Sequence, residues 1–411
     1  MKKYDEYKDS GVAWIGEVPK HWEVIKLKYK YHFQTGATPN TGKKENFEGD
    51  LRWANISDLN GSVVYDTTKH INKEAASKCS MNISPKGSLM YSFKLSVGTV
   101  AFCGEDMYTN EAIASFIPQK NDLKYLFYCA PIFIIHNANR NIYNAPLLNQ
   151  ELIKNALICL PSLNEQTVIA TYLDTHCAKI DNLISIQQKR IALLQELKQS
   201  VITHAVTKGL NPNVEMKQSG VEWIGDVPKH WELVRTRYLC NLCTGSKDTI
   251  NRVDDGKYPF YVRSPKVERI DTYSFDGEAI LMAGDGVGAG KVFHYAVGKF
   301  DYHQRVYNFH NFKHVLGKFF YNYISNNFKY IIEEGGAKNT VDSVRLYMIQ
   351  NFMTTVPPLE EQMEICNYIE QKEKVFDTSI SNAQHQIDLL QEYKQSLITE
   401  VVTGKRKVTD N

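Results

Sequence analysis

Basic, amide and histidine side chains stand beside aromatic and glycine residues in four short runs of the second half of the chain. The runs read YPFYVRSPKVER, GDGVGAGKVFHY, DYHQRVYNFH and EEGGAKNTV. Side chains of these types contact nucleic-acid phosphates and base edges, and arginine or glutamine can make two hydrogen bonds to one base. The candidate residues for such contacts are Arg263, Lys266, Lys291, His294, His303, Gln304, Arg305, Lys338 and Asn339, with Lys94 and Asn110 in the first half.

No catalytic motif accompanies these residues. The glycines of GDGVGAGK alternate, and Val292 follows Lys291 where a phosphate-binding loop has serine or threonine, so we expect a tight hairpin there. Cys240 and Cys243 have the spacing of a metal-ligand pair, but no second pair stands at a suitable distance. The sequence also lacks a methyltransferase Asn/Asp-Pro-Pro-aromatic run and a recognisable nuclease or Ser/His/Asp constellation. We therefore expect neither catalytic residues nor a bound metal or cofactor in this chain.

Three pairs of matching stretches define the frame in which these candidates must be held. SGVAWIGEVPKHWE at residues 10–23 returns as SGVEWIGDVPKHWE at residues 219–232, and we call this stretch the WIG motif. PSLNEQTVIATYLD and LLQELKQSVITHAVTKG, which begin at Pro161 and Leu193, return from Pro357 and Leu389 as PPLEEQMEICNYIE and LLQEYKQSLITEVVTGK. The regions between the matching flanks, 24–160 and 233–356, share little sequence. A common frame that carries two different surfaces fits this pattern, although an old duplication with drifted loops would also produce it.

The matching stretches that begin at Pro161 and Leu193, and at Pro357 and Leu389, predict one long helix in each half of the chain. Each segment runs for about 40 residues, roughly 60 Å at 1.5 Å per residue, without an interrupting proline or glycine. Apolar residues recur at alternating spacings of three and four, which is a heptad seam, and Lys198 and Lys394 occupy one equivalent seam position. The seam residues are Leu173, Cys177, Ile180, Ile184, Ile191, Leu194, Val201 and Ala205 in the first copy and Ile369, Phe376, Ile380, Ala383, Ile387, Leu390, Leu397 and Val401 in the second.

A narrow apolar stripe must be buried, and the nearest matching stripe is the other copy. We therefore expect an antiparallel pair of helices within the chain. The alternative is that each helix packs on its own globular region. The predicted segments are 1–160, a first domain with its WIG motif; 161–209, the first helix; 210–356, a second domain with its WIG motif; and 357–411, the second helix.

Composition and charge are those of an ordinary globular protein. The 411 residues are 43% hydrophobic and 23% charged, and the charged start MKKYDEYKDS is unlike a signal peptide, so we expect a cytoplasmic protein. The net charge is only +2. Residues 24–160 hold 15 Lys and Arg against 11 Asp and Glu, and residues 233–356 hold 16 against 12, so each of these regions is +4. Positive charge is thus concentrated in the two regions that carry the polar candidates.

The two spaced, duplicated motifs resemble the specificity subunits of type I restriction-modification systems over essentially the whole chain. The resemblance implies an α+β fold with two mixed α/β target-recognition domains in a pseudo-twofold repeat, joined by two long helices that form an antiparallel coiled coil. It also implies that each domain reads one half of a bipartite target in double-stranded DNA, while the helices set the gap between the halves. Two methyltransferase subunits, which would carry S-adenosylmethionine, and restriction subunits would bind the frame.

The first domain departs from the second around its candidates. Alignment of YSFKLSVGTVAFCGEDMYTNEAIASF with LMAGDGVGAGKVFHYAVGKFDYHQRVYNF brings Asn110 and Glu111 to the positions of His303 and Gln304. Two other functions remain open from the residues alone. A bridging protein could use the two variable domains to bind protein partners, and a complete enzyme could combine methylation with recognition, although the motifs for methylation are absent.

Overall fold

A computed structural model describes residues 2–119, 122–334 and 343–408. The chain divides into two compact units. Unit 1 consists of residues 1–186 and 386–411, and unit 2 consists of residues 187–385. Within the described ranges, no helix has the length and apolar character needed to cross a membrane.

Unit 1 combines short strands with three helices and parts of two long helices. Its strands are β1 (Tyr7–Asp9), β2 (Glu17–Pro19), β3 (Glu23–Lys26), β4 (Phe33–Thr35), β5 (Leu51–Ala54), β6 (Val63–Val64), β7 (His70–Ile71), β8 (Leu89–Ser92), β9 (Val100–Cys103), β10 (Tyr108–Thr109), β11 (Ile113–Phe116), β12 (Asn139–Arg140), β13 (Pro146–Leu147) and β14 (Leu157–Leu160). Its helices are α1 (Lys73–Lys78), α2 (Leu123–His136), α3 (Gln150–Asn155) and the first part of α4 (Leu163–Lys208).

Unit 2 is built from a similar series of elements. Its strands are β15 (Met216–Gln218), β16 (Asp226–Pro228), β17 (Glu232–Arg235), β18 (Asn241–Thr244), β19 (Tyr258–Tyr261), β20 (Glu268–Ile270), β21 (Phe275–Ala283), β22 (Phe293–Tyr302), β23 (Val306–His310) and β24 (Met353–Val356). Its helices are α5 (Thr236–Leu239), α6 (Gly317–Asn327), α7 (Lys329–Glu334), α8 (Leu346–Asn351) and the first part of α9 (Leu359–Val402).

The main sheets of the two units have corresponding topologies despite their different sequences. The main sheet of unit 2 has the order β18-β23-β21-β22-β19-β20, whereas its counterpart in unit 1 is divided into a sheet β4-β11-β8-β9-β6 and a separate sheet β10-β5-β7. The long strand β22 pairs with β21 along one part and with β19 at its end, and β9 and β10 divide these two roles in unit 1. The GDGVGAGK run connects the antiparallel strands β21 and β22, so the predicted hairpin is confirmed, although its loop is longer than a tight turn.

The long helices have the length and the buried seam that periodicity predicts. Helix α4 has 46 residues and α9 has 44, and none of the predicted seam residues is exposed. In unit 1, Lys394 Nζ lies 2.7 Å from Asp181 Oδ1. In unit 2, Lys198 Nζ lies 2.9 Å from Asp377 Oδ1 and 3.3 Å from Glu373 Oε1.

These ion pairs show how the helix segments pair within each unit. In unit 1, the strand that leads into α4 lies beside the end of α9, because the Tyr125 hydroxyl contacts both the Cys159 carbonyl in β14 and the Val402 carbonyl. Unit 2 has the same direction of pairing, since the Thr355 hydroxyl, just before α9, donates to the Val206 carbonyl near the end of α4. The predicted antiparallel pairing is therefore confirmed inside each unit. The predicted segments 161–209 and 357–411 contain these two helices.

Each WIG motif docks on the first turn of the long helix that follows its own domain. In unit 1, Glu165 accepts from the Tyr4 hydroxyl at 2.7 Å and lies 3.0 Å from His21 Nε2. In unit 2, Glu361 lies 2.9 Å from His230 Nε2 and accepts from the indole of the buried Trp231 at 3.0 Å. A carboxylate in the first turn also interacts favourably with the helix dipole. The two kinds of repeated sequence, the WIG motif and the start of the long helix, thus contact each other in the same way in each unit.

Candidate nucleic-acid interface

Three candidates of unit 2, His303, Gln304 and Arg305, form the loop between strands β22 and β23. The Gln304 side-chain amide donates to Asp248 Oδ2 at 2.8 Å, and the Gln304 backbone N–H donates to the Lys247 carbonyl at 2.8 Å. These bonds hold the loop against the segment after β18. Gln304 itself is exposed, so its remaining N–H and its carbonyl face solvent.

Asp285 gathers two guanidinium groups at the same place. Its Oδ1 accepts from Arg263 at 2.9 Å, and its Oδ2 lies 3.6 Å from Arg305 Nε. Asp285 is mostly covered, with 21% of its side chain exposed, whereas 65% of the Arg305 side chain is exposed. Each guanidinium has five N–H donors in a fixed plane, so donors remain for an outside acceptor after the contact with Asp285. The carboxylate therefore restrains the direction in which both arginines point.

His303 fixes the loop from inside. Only 3% of this residue is exposed, and its Nδ1 accepts from the Arg305 backbone N–H at 3.0 Å. Burial lowers the pKa of its imidazole, and the positive charges of Arg263 and Arg305 lower it further, against the opposing effect of Asp248 and Asp285. A neutral ring with an acceptor at Nδ1 is the form that this bond requires. The structure thus gives His303 a direct structural role next to the exposed Gln304 and Arg305.

Among the described residues, no hydrogen bond or ion pair links the other predicted residues of unit 2 to this loop, and two of the predicted residues lie outside the described residues. Lys291 and Lys266 are exposed, and Lys266 Nζ lies 3.7 Å from Glu268. His294 contacts the Ser264 carbonyl at 3.1 Å, and burial lowers the pKa of its ring. Lys338 and Asn339 belong to the segment 335–342, which is outside the described residues.

Sequence reasoning missed four contributors to this surface. Asp248 and Asp285 orient the polar groups, and Lys247 supplies the carbonyl that holds the loop. Arg345 is exposed and follows Val344, whose backbone N–H donates to Gly284 at 2.8 Å, next to Asp285. The sequence signal that could have located the site is the Thr-Gly pair at residues 244–245, which recurs at residues 35–36.

Both of these glycines are required by a close backbone approach. A Cβ on Gly245 would overlap the carbonyl oxygen of Tyr302, and a Cβ on Gly36 would overlap that of Thr109. Only glycine fits such a position. Since Tyr302 precedes His303 and Thr109 precedes Asn110, the same construction marks the equivalent loop in unit 1.

Hydrogen bonds confirm the alignment of this loop between the units. Asn110 Oδ1 accepts from the Ala112 backbone N–H at 3.1 Å, as His303 accepts from Arg305. The Phe93 backbone N–H donates to Ala112, and the Gly284 N–H donates to Arg305 in the same way. Asn110 therefore takes the place of His303, and Glu111 takes the place of Gln304. The Asn110 side-chain oxygen already has a partner within the loop.

The loop of unit 1 carries a different set of charges. The Thr38 hydroxyl donates to Glu111 Oε2. The surrounding protein alone would raise the pKa of the Glu111 carboxyl, but this hydrogen bond, one from the backbone and the nearby Lys94 ammonium lower it below its ordinary value. Lys94 follows Phe93 as Asp285 follows Gly284, so a cation in unit 1 occupies the position of an anion in unit 2.

The two loops therefore present hydrogen-bonding groups and charges that suit an extended polyanion with polar edges. In the described ranges, no group of three or more His, Cys, Asp or Glu side chains is arranged to hold a metal ion. Cys240 is buried and Cys243 is exposed, and both are free thiols. The geometry supports recognition by hydrogen bonds and charge.

Comparison with known proteins agrees with this interpretation. The chain is 27% identical to the type I restriction enzyme MjaIX specificity subunit of Methanocaldococcus jannaschii, in a match that covers 60% of this chain and 58% of that protein. It is 24% identical to the putative MjaX specificity subunit of the same organism, over 96% of each chain. A match to the EcoDI specificity subunit of Escherichia coli, at 26% identity, covers 44% of this chain and 40% of that one.

The fold also matches a solved structure. A chain from work on complex assembly and conformational transition of the type I R-M system aligns with a TM-score of 0.71 at 13% identity, covering 94% of this chain and 98% of that one. The family model described as type I restriction modification DNA specificity domain matches residues 19–196 and 228–388. These matches confirm the resemblance drawn from the duplicated motifs, and the chain belongs to the type I restriction-modification DNA specificity family.

Proposed function

We propose that this chain directs a type I restriction-modification complex to a bipartite sequence in double-stranded DNA. Each unit reads one half of the sequence with the loop that begins at Asn110 in unit 1 and at His303 in unit 2. The observation that carries the proposal is the group of Arg263, Gln304 and Arg305 around two orienting carboxylates in unit 2. Arginine and glutamine are the side chains that make paired hydrogen bonds to guanine and adenine edges.

The partners are inferred from the family and not from a site in this chain. Two methyltransferase subunits, which bind S-adenosylmethionine, dock on the frame of WIG motifs and long helices, and restriction subunits join them. This chain supplies the DNA sequence specificity of the complex and binds no cofactor of its own. The complex acts in the cytoplasm, and the long helices set the distance between the two half-sites. Two linked readers gain affinity through a high effective concentration when the link between them is rigid.

The test is to identify the DNA bases that become methylated in cells expressing this chain with the methyltransferase of its own system. We expect a single bipartite target. Absence of methylation without this chain, and its presence with it, would support the targeting role. Methylation by the purified chain alone, or methylation without a defined sequence, would contradict it.

Arg305→Ala tests the interface in the purified complex. We expect specific binding to weaken by about 1–3 kcal/mol if Arg305 reads a base, or binding to all sequences to weaken alike if it contacts a phosphate. Lys124→Ala is a control, because Lys124 is an exposed lysine at the start of α2 in the other unit. Unchanged affinity in a folded Arg305 variant would reject the assignment.

A salt series adds a second criterion, because phosphate contacts make affinity fall steeply with salt, whereas a protein partner need not produce that slope.

A further inference from the structure

Glu111 and Gln304 occupy one structural position in the two units but offer opposite hydrogen-bonding chemistry. Each comes directly after a residue whose side chain accepts from the backbone N–H two positions later, and each is exposed. A carboxylate can only accept hydrogen bonds, while an amide both donates and accepts. We propose that this position reads a base in each half-site, and that Glu111 accepts a hydrogen bond from the exocyclic amino group of cytosine or adenine in the first half-site. This inference rests on the proposed function.

The chemistry of the major groove restricts what Glu111 can read. Cytosine N4 and adenine N6 carry the amino groups that are exposed there, whereas guanine and thymine present acceptors at their corresponding edges. An anionic side chain is attracted to the amino donors and repelled by the acceptors. The Thr38 hydroxyl fixes one oxygen of the carboxylate, and the neighbouring Lys94 charge favours the ionised form. Glu111 is therefore an oriented acceptor.

Gln304 is oriented by a different partner. Its amide nitrogen donates to Asp248, which as a carboxylate can accept only, so the nitrogen end of the amide must face Asp248. One N–H and the carbonyl of Gln304 remain, and this pair matches the N7 acceptor and N6 amino donor of adenine. Unit 2 is therefore suited to adenine at this position, while the acceptor-only Glu111 of unit 1 does not pair with N7.

The surrounding charges support two different readings. In unit 2 the next residue after this position is Arg305, whereas in unit 1 it is the buried Ala112. In unit 2 the preceding loop supplies the anion Asp285, whereas in unit 1 the same place holds the cation Lys94. The charges of the two loops thus differ. A lysine lies near the anionic Glu111 in unit 1, whereas in unit 2 an aspartate holds the arginines beside the neutral Gln304.

The experiment compares Glu111→Gln with wild type in the complete complex with its methyltransferase, by sequencing methylated sites in a genome and by binding duplexes that differ at each base pair. Glu111→Gln keeps the size of the side chain and removes its charge. We expect the base preference at one position of the first half-site to change by about 5- to 150-fold, the range given by one base contact of about 1–3 kcal/mol. A preference for C should fall, because the charged acceptor is lost, whereas a preference for A should rise, because the amide can also donate to N7. The second half-site and the gap should not change.

Two further variants make the result decisive. Glu105→Gln removes the same charge from a residue of unit 1 whose side chain is 44% exposed and lies 3.1 Å from Lys86 Nζ, and it should leave the recognised sequence unchanged. Gln304→Glu should alter one position of the second half-site alone, which tests the position even if the first variant folds poorly. The proposal is overturned if Glu111→Gln and Gln304→Glu both leave every base preference of the target unchanged, or if Glu111→Gln changes affinity equally at every base pair. A wild-type complex with no defined target would instead overturn the proposed function.

Discussion

Aspartates inside the proposed DNA-binding surface would reduce its attraction for phosphates, so we expect Asp285 and Asp248 to contribute in another way. Both carboxylates contact side chains that face solvent. Asp285 accepts from Arg263 and forms an ion pair with Arg305, and Asp248 accepts from Gln304. Orienting a long, flexible side chain before binding removes part of the entropy cost of the contact. The aspartates therefore exchange general affinity for directed hydrogen bonds.

Asp285→Ala should separate these two effects. We expect discrimination between the target and a scrambled duplex to fall roughly tenfold or more, because the arginines lose their common anchor and each base contact is worth about 1–3 kcal/mol. Binding to the scrambled duplex should stay the same or become tighter, since one negative charge is removed. Competition binding at fixed salt measures both quantities.

Asp254→Ala is the matched control for this variant. Asp254 belongs to the same unit, its side chain is 88% exposed, and its Oδ1 lies 3.5 Å from Arg252 Nε. It should change non-specific binding in the same direction without a loss of discrimination. An equal loss of discrimination in both variants would contradict the orienting role of Asp285.

At the residue scale, the types of the candidate side chains could be predicted from sequence, but their partners could not. Arg305 and Gln304 stand out as basic and amide residues beside aromatics. Asp285 lies about 20 residues from both Arg263 and Arg305 in the sequence. When charges are counted along the sequence, it only lowers the net positive charge of its region. Its role depends on the strand pairing that brings Gly284 to Arg305. That pairing is a long-range backbone contact with no local sequence pattern.

Among the secondary-structure elements, the long helices contain a lysine in an otherwise apolar seam. Lys198 is 24% exposed and lies between Glu373 and Asp377, and its equivalent Lys394 is bonded to Asp181. The Lys198 pKa is changed by burial, which lowers it, and by the stronger combined effect of the two carboxylates, which raises it. A charged residue in a seam is satisfied in one register only, so it selects one alignment of the helices.

Lys198→Glu should therefore destabilise unit 2. Three carboxylates would then be close together, and we expect a loss of about 1 kcal/mol or more, since the favourable pair alone contributes about 0.2–1 kcal/mol at such partly exposed sites. The melting temperature measures this loss. Combining it with Asp377→Lys should restore part of the stability, while Lys189→Glu, at an exposed position of the same helix, should change it little. Equal effects of Lys198→Glu and Lys189→Glu would exclude a role for the seam lysine.

The helices were predictable because their signal is local and repeats every turn. Most strands were less predictable, because all the described strands except β21, β22 and β23 have only two to four residues, too few alternations to define a period. The long strand β22 of unit 2 corresponds to two separate strands, β9 and β10, in unit 1. This difference also hides the correspondence between regions 24–160 and 233–356 in the sequence. The backbone pairing is kept while the side chains differ.

For the molecule as a whole, the helices are expected to act as a spacer between two readers. Inserting four residues between Ile186 and Gln187, where the compact units divide, would lengthen α4 by roughly 6 Å and rotate its C-terminal part by about 40°. DNA rises about 3.4 Å per base pair, so we expect the gap between the half-sites to grow by one or two base pairs. The half-sites themselves should not change, because neither recognition loop is touched.

Sequencing of methylated sites tests this prediction. The same four residues inserted after Pro212, in the exposed stretch after α4, serve as the control and should leave the gap unchanged. New half-sites with the original gap would show that the helices do not set the spacing.

Unit 1 is made of two chain segments that are separated by unit 2, and this limits the order in which the protein can fold as it is synthesised. Unit 2 is one continuous stretch, residues 187–385, whereas unit 1 requires residues 386–411 as well. That last segment contributes the buried Leu397, Val401 and Val402, and the Lys407 backbone N–H donates to Lys2 at 3.0 Å. Domains ordinarily fold from the N-terminal end as the chain emerges from the ribosome. Here unit 1 can be completed only after all of unit 2 has been synthesised, so the first domain must wait, with part of its apolar surface uncovered, until residues 386–411 have emerged from the ribosome.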